Sequence, residues 1–440
     1  MSEESAGAPR AMGNGHDPYA QKHFVRNAAM LALENTGFIV AITFVGSTTV
    51  LPTFVTRLGG SAFLVGLIAT CQSAGWLLPQ LAGAGLCAGK PRMIPYILVP
   101  LYIGRPAFVV VGVLTALLGT GARWLLLLLL FLALLVFYAT DGLASVPWYE
   151  LVAKTISPDR RGRMFGTAQI AGGLGGMGVG ALVAVILRSP ALPFPSNYAL
   201  LFVLSGAVFL LNLVPFLLVK EPVQASAEKA LPRPSARVFI SSLADIMRHD
   251  RTFVRLIGSR LLLGVAMSVF PFYILFMDKA LSIDPARLGL LTSAQVFGGL
   301  VGGLAIGWIA DHVGTRIVIR LGAVVSGAVP AVGLVMLALR GVLGDALLYP
   351  AVVLFVLMGV VGSTNLIGFM NYLMEVAPLE KRTTYTGLFN TLAGVLLVVP
   401  PLAGWLLSVA SFGLLFALAV AASALCLVVS LSLKQSVRVR

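Results

Sequence analysis

Four ionisable side chains stand inside runs that otherwise carry no charge: Glu34, Arg105, Asp141 and Arg260. The surrounding chain is 58% hydrophobic. A charge at the centre of an apolar membrane helix costs roughly 2.5–3.5 kcal/mol, so each must be neutralised, titrate or reach water. Arg105 lies 13 residues from Arg92, and Asp141 lies 13 from Lys154. At the α-helical rise both sit about 20 Å from those basic anchors, and adjacent antiparallel helices would bring them together. Two readings follow: a buried Arg105–Asp141 pair whose opening or protonation does work, or a static pair that holds a bundle.

Glu34 lies about two turns inside Arg26, and Arg260 has a similar depth from Arg251. Either the two meet across an inner gate, or both reach a headgroup layer, which a long Arg side chain does by snorkelling. Glu150, at the margin of its run, is expected to pair with Arg161 or Arg163. An acid held by Arg105 would stay ionised and carry protons poorly. Glu34 has no basic residue within one turn of its own helix, so it is the first proton-coupling candidate, with Asp141 the second. Gln72, Trp76, Gln295, Asn365 and Asn390 are candidates for a cavity wall. So are Gln80, Asn371, Tyr138, Trp148, Phe270 and Phe272. Each also has an ordinary reading as packing.

The elements that would position these groups follow from composition. Charged residues make up 11% of the 440 residues, against roughly 25% in a soluble domain. Mean hydropathy is +0.95. Too much apolar surface is present for a water-soluble core to hide. That excludes a soluble enzyme, a disulfide scaffold and a disordered chain, and leaves a polytopic membrane protein. Uncharged runs place twelve spans near 29–56, 62–86, 94–118, 124–149, 164–187, 197–219, 253–277, 286–310, 318–339, 347–373, 385–407 and 412–433. The expected organisation is a disordered tail (1–25), a six-helix bundle (26–219) and a linker with an interfacial helix (220–252). A second six-helix bundle (253–433) and a short tail (434–440) complete it. In the linker, Phe239, Leu243 and Ile246 share one helical face. With the N-terminus inside, 23 of the 31 Lys and Arg residues fall in inner segments and six in outer loops. That bias places both termini in the cytoplasm.

Other signals are weaker. The four histidines, His16, His23, His249 and His312, lie outside the spans. This argues against an intramembrane metalloprotease or a Ser–His hydrolase, which need an imidazole within the membrane. Cys71, Cys87 and Cys426 sit in apolar surroundings and read as small core residues. Gly173, Gly175 and Gly178 match a dinucleotide fingerprint formally, but no strand precedes them, and close helix packing explains them. No ATP-binding loop is present, and no metal or other cofactor is expected.

The halves resemble each other. Gly66, Gln72 and Gly75 recur as Gly289, Gln295 and Gly298, offset by 223; Arg160, Arg161, Gly166 and Gln169 recur as Lys381, Arg382, Gly387 and Asn390, offset by 221. Gly lets helices approach, and a buried amide needs a partner. At the 221 offset the counterpart of Asp141 is Gly362, so the acid is not part of the repeated scaffold. A duplicated unit suits two bundles rocking about a midplane site.

The segment from Gly307 through Asp311 and Gly314 to Arg316 resembles the loop motif of the major facilitator superfamily. Gly307 would permit close packing, Asp311 would face the positive end of a neighbouring helix, and Gly314 would allow a tight turn. The first-half counterpart, Gly85 to Arg92, has Gly89 where the Asp would stand. Ser157–Arg163 is similar to the family's loop between spans four and five. The resemblance implies an all-α membrane fold of twelve helices in two pseudo-symmetric bundles. It implies a secondary active transporter of a small organic molecule, with spans one and seven lining the cavity and Arg260 joining the gate set. Proton coupling, a monomer and the plasma membrane complete the expectation. A multidrug-type efflux antiporter and a sugar-like cation symporter both remain open. A non-transporting intramembrane enzyme or scaffold is the competing class.

Overall fold

The computed structural model describes residues 18–223, 245–281, 285–378 and 381–434. Among them every regular element is a helix. The first span, α1, runs Phe24–Phe44 and resumes as Val50–Arg57. Then come α2 (Ala62–Cys87), α3 (Ile94–Leu118), α4 (Arg123–Thr155), α5 (Pro158–Arg188) and α6 (Ser196–Leu218). The second half has α7 (Arg251–Asp278), α8 (Pro285–His312), α9 (Thr315–Leu343) and α10 (Leu348–Val376). It ends with α11 (Thr384–Val409) and α12 (Phe412–Leu431). Eleven described stretches are long and apolar enough to cross a membrane; one, Thr315–Val376, is α9 and α10 joined by the 3-10 turn Gly344–Leu347. Twelve crossings result.

The end at which the described chain starts and stops is called basal here, the other end distal. Two expected spans are broken near the distal end. The α1 break at residues 45–49 falls on Val45-Gly46-Ser47-Thr48-Thr49, whose small and hydroxylated side chains compete for backbone hydrogen bonds. The α7 break at 268–271 ends on Pro271, which has no N–H to give. Positions 45 and 268 differ by 223, the repeat offset, so the kinks are counterparts. In the linker, Phe239 and Leu243 lie outside the described residues; Ile246, in a helical turn at 245–249, is buried against the second half.

The repeated glycines show why the halves match. Gly75 leaves room for Tyr138 and Ala139 of α4, and Gly298 for Val356 of α10. Gly66 faces the Pro400 carbonyl of α11, and Gly289 faces the Gly180 carbonyl of α5. Thus α2 packs on α4 within its half and on α11 across the seam, as α8 packs on α10 and α5. A Cβ at Gly66 would lie 2.1 Å from the Pro400 oxygen, and one at Gly289 would lie 2.3 Å from the Gly180 oxygen. Both neighbours are backbone and cannot swing aside.

Side chains tie the same seam. Thr48 Oγ1 donates to Gln295 Oε1 at 2.5 Å, Thr292 Oγ1 to Thr49 Oγ1 at 2.9 Å, Ser293 Oγ to the Met177 carbonyl at 3.0 Å and Thr70 Oγ1 to the Leu397 carbonyl at 2.6 Å. All lie distally. Toward the basal end α5 and α8 part: a side chain at Gly162, Gly166 or Gly307 would meet nothing. Gly307 therefore does not serve the close packing expected of it, because no helix stands opposite in this state. Gly314 has φ 121° and makes the turn into α9 as expected. Gly66→Val and Gly289→Val should each prise the distal seam apart, at the cost of about 1–3 kcal/mol typical of overpacking. Spin labels at Ala191 and Gly341 would read longer distances in both variants; unchanged distances would show that the seam tolerates the added bulk.

Candidate functional site

Along α4, Leu134, Phe137, Asp141, Ala144, Ser145 and Trp148 recur at steps of three and four, one helical face. That stripe turns Asp141 and Trp148 away from lipid and toward α1, α2 and α3. In α3, Pro106 interrupts the helix beside Arg105, whose side chain is buried.

The structure gives Arg105 a different partner from the expected one. Its Nη2 donates to Glu34 Oε1 at 3.1 Å, with side-chain exposures of 2% and 6%. Its Nη1 donates to the Phe209 carbonyl at 3.1 Å, and its guanidinium lies 5.6 Å over the Phe209 ring. Glu34 is held from three sides. Trp148 Nε1 donates to Oε2 at 3.0 Å, and Asn212 Nδ2 donates to Oε1 at 3.3 Å and to the Glu34 carbonyl at 2.8 Å. One carboxylate thus joins α1, α3, α4 and α6. The Arg105–Asp141 pair does not form. Depth along the chain placed Arg105 and Asp141 level, but the donors on α4 and α6 draw Glu34 to the guanidinium instead. Glu34, which has no basic residue within one turn of its own helix, is the paired acid.

Asp141 is buried at 7% exposure and lines a cavity of about 500 Å³. Among the described residues no hydrogen bond or ion pair reaches it; Arg105 and Glu34 are its charged neighbours. The wall combines Glu34, Asn35, Phe38, Trp76, Arg105, Ser145, Trp148, Tyr149, Phe165, Gln169 and Phe216 from the first half. The second half supplies Gly303, Leu304, Ser363 and Ile367 from α8 and α10. The cavity therefore lies between the halves, on the basal side of the seam.

The other expected positions divide. Trp76 and Trp148 reach the cavity wall. Gln72 instead donates to Tyr138 Oη at 2.9 Å, tying α2 to α4, and Gln295 serves the seam. Asn390 and Asn371 are exposed, and Asn365 has a buried Oδ1 with no hydrogen-bond partner among the described residues. Phe270 and Phe272 are buried beside the α7 kink. Arg260 lies 5.8 Å over the Phe369 ring and does not meet Glu34. Asp311 is exposed and Arg316 half-buried at the turn into α9. Glu150 pairs with Lys154 at 4.0 Å, one turn along its own helix, while Arg161 donates to the Ala153 and Ile156 carbonyls. Sequence reasoning missed Asn212, Asn35 and Ser145. Asn212 carried a readable signal, an amide inside an uncharged span, of the kind that singled out Gln72.

The family model described as Major Facilitator Superfamily matches residues 256–439. Among curated proteins no sequence matches the chain. Solved structures match its shape closely at low identity. A nucleoside transporter, NupG, solved as a point mutant, aligns at TM-score 0.69 and 14% identity, covering 93% of this chain and 100% of its own. A bacterial homologue of the iron transporter ferroportin, in an inward-facing state, gives 0.65 and 15%, covering 93% and 98%. A bacterial homologue of the human lysosomal transporter Spinster, inward-facing and unoccupied, gives 0.56 and 15%, covering 95% of each chain.

Removing one partner of a buried pair costs about 3–5 kcal/mol because a lone charge remains, whereas apolar replacement of both is often nearly neutral. Glu34→Leu and Arg105→Leu should each lower the melting temperature of purified protein sharply, and the double variant should recover most of it. Asp141→Asn should melt like the parent. Additive losses in the double variant would show that the pair contributes nothing as a pair.

Proposed function

We propose that the protein is a multi-pass membrane transporter of the major facilitator type that moves a small organic molecule by proton-coupled alternating access, with Asp141 as the proton site. The carrying observation is one unpaired carboxylate in the wall of a cavity that lies between the halves, closed distally and open basally. Glu34 is assigned a structural role, because its carboxylate is held by three donors, Arg105, Trp148 and Asn212. The charged groups that face Asp141 are Glu34 from α1 and Arg105 from α3; α4 itself adds the Tyr138 phenol. The pair cancels its own charge, so Asp141 leaves the site negative when ionised and neutral when protonated.

The Lys and Arg bias assigns the basal end to the cytoplasm. The described conformation is then inward-facing. Opening of the distal seam with closure of the basal gap completes the cycle. Asp311, at the basal end of α8, is assigned to the closed basal contact. The reading further assigns a monomer to the plasma membrane, 26–219 and 253–433 as the two moving bundles, and 220–252 as their tether.

Proteoliposomes with an imposed pH gradient, offered a defined mixture of metabolites and drugs, test the coupling. Wild-type protein should concentrate at least one organic solute, counted by mass spectrometry. Asp141→Asn should equilibrate that solute without concentrating it. Wild-type vesicles that concentrate nothing overturn proton-coupled transport, and gradient-driven accumulation by Asp141→Asn removes Asp141 from it.

Orientation has its own test. Single cysteines at 225 and 436, in a background lacking Cys71, Cys87 and Cys426, should resist an impermeant maleimide in intact cells and react after permeabilisation. Labelling in intact cells would invert the assignment.

A further inference from the structure

We infer that the cavity takes an organic cation, and that cation and proton compete for the one carboxylate Asp141, which makes the protein an exchanger of the two. The inference rests on Asp141 as the proton site and deepens it. Arg105 and Glu34 are held to each other at 3.1 Å, so neither is free to bind a charged solute. Asp141, 7% exposed and without a hydrogen bond or ion pair among the described residues, is the charge that remains. With Asp141 ionised the cavity carries net negative charge within a largely apolar wall, which an anionic solute would enter only against repulsion.

The wall selects the kind of cation. Trp76, Trp148, Tyr149, Phe38, Phe165 and Phe216 all line it. A hard inorganic ion asks for six or more oxygens, and a single carboxylate among aromatic rings does not supply them. Aromatic faces with one carboxylate instead match a large, weakly hydrated organic cation, which gains from ring quadrupoles as well as from the fixed charge. A volume of about 500 Å³ accommodates a drug-sized molecule. Trp148 is steadied by its bond to Glu34, so part of this surface is pre-organised.

A proton on Asp141 removes the charge that holds the cation. A cation at Asp141 raises the cost of protonating it. One carboxylate therefore serves one or the other, and a carrier that crosses only with the site neutralised exchanges them.

Four probes separate the alternatives on purified protein in nanodiscs: tetraphenylphosphonium, the nearly isosteric anion tetraphenylborate, neutral uridine and inorganic phosphate. Binding is read by fluorescence of the lining tryptophans and by thermal shift, with partition into empty nanodiscs subtracted. Tetraphenylphosphonium should bind saturably, with the other three at least tenfold weaker. Asp141→Asn should lose tenfold or more in affinity for the cation, and Asp141→Glu should retain most of it. Equal binding of tetraphenylborate, tighter binding of uridine, or an Asp141→Asn protein that binds tetraphenylphosphonium like the parent overturns the cation assignment. Acidification should weaken cation binding, approaching tenfold per pH unit, and Asp141→Asn should remove that dependence. Asp141-dependent binding with no pH dependence overturns proton competition and exchange, while cation recognition stands.

Discussion

The first half is organised by the need to neutralise Arg105, whose side chain is all but withdrawn from solvent. A guanidinium at 2% exposure leaves no choice between pairing and ruin. Glu34 answers from α1, and Glu34 in turn collects an indole from α4 and an amide from α6. Four helices that are otherwise apolar are fixed in mutual rotation by these few polar contacts. Apolar packing alone would set that rotation weakly, because lipid tails solvate leucine as well as another helix does. The aromatic cluster of Phe108, Phe137 and Phe209 then fills the layer on the distal side of the pair.

The contacts between the halves are of a different kind. They are glycines set against backbone, with short hydroxyl and amide bonds, and they carry no ion pair among the described residues. Within a half, a strong pair surrounded by aromatic packing resists rearrangement. Across the seam, the contacts among the described residues are small and uncharged. The proposed rocking mechanism requires contacts of this kind, which can part distally while each half stays intact.

Much of this was legible in the sequence. Uncharged runs marked the twelve spans, because a charge in lipid is costly enough to be avoided except where it is used. The 223-residue offset of Gly66 and Gly75 with Gly289 and Gly298 marked a duplicated unit with close helix approaches, while which helices touch emerged only from the structure. The partner of Arg105 was not legible. Counting residues from the basic anchors set Glu34 shallower than Arg105 and Asp141 level with it, and such a count does not say which way a helix is turned. Asn212 and Trp148 decide between them, and both contacts span more than a hundred residues of sequence. The helix breaks at 45–49 and 268–271 were also missed. Hydropathy averages over such kinks, and the hydroxyls of Thr48 and Thr49 mattered only once α8 lay opposite.

The division of labour between the two acids has a thermodynamic consequence. Glu34 with Arg105 remains neutral in every state in which the pair is intact, so that pair biases neither opening nor closing. Asp141 does, because an ionised carboxylate in a cavity open to water costs far less than one in a sealed apolar cavity. Sealing the site is thus disfavoured by the charge itself and relieved by whatever neutralises it. Any species that cancels the charge shifts the equilibrium toward the occluded form by its differential affinity, and by no more than that. In the proposed mechanism coupling needs no wire between a substrate site and an ion site: Asp141, the carboxylate left over among the described residues after the structural pair has cancelled itself, would be enough to make movement conditional on occupancy.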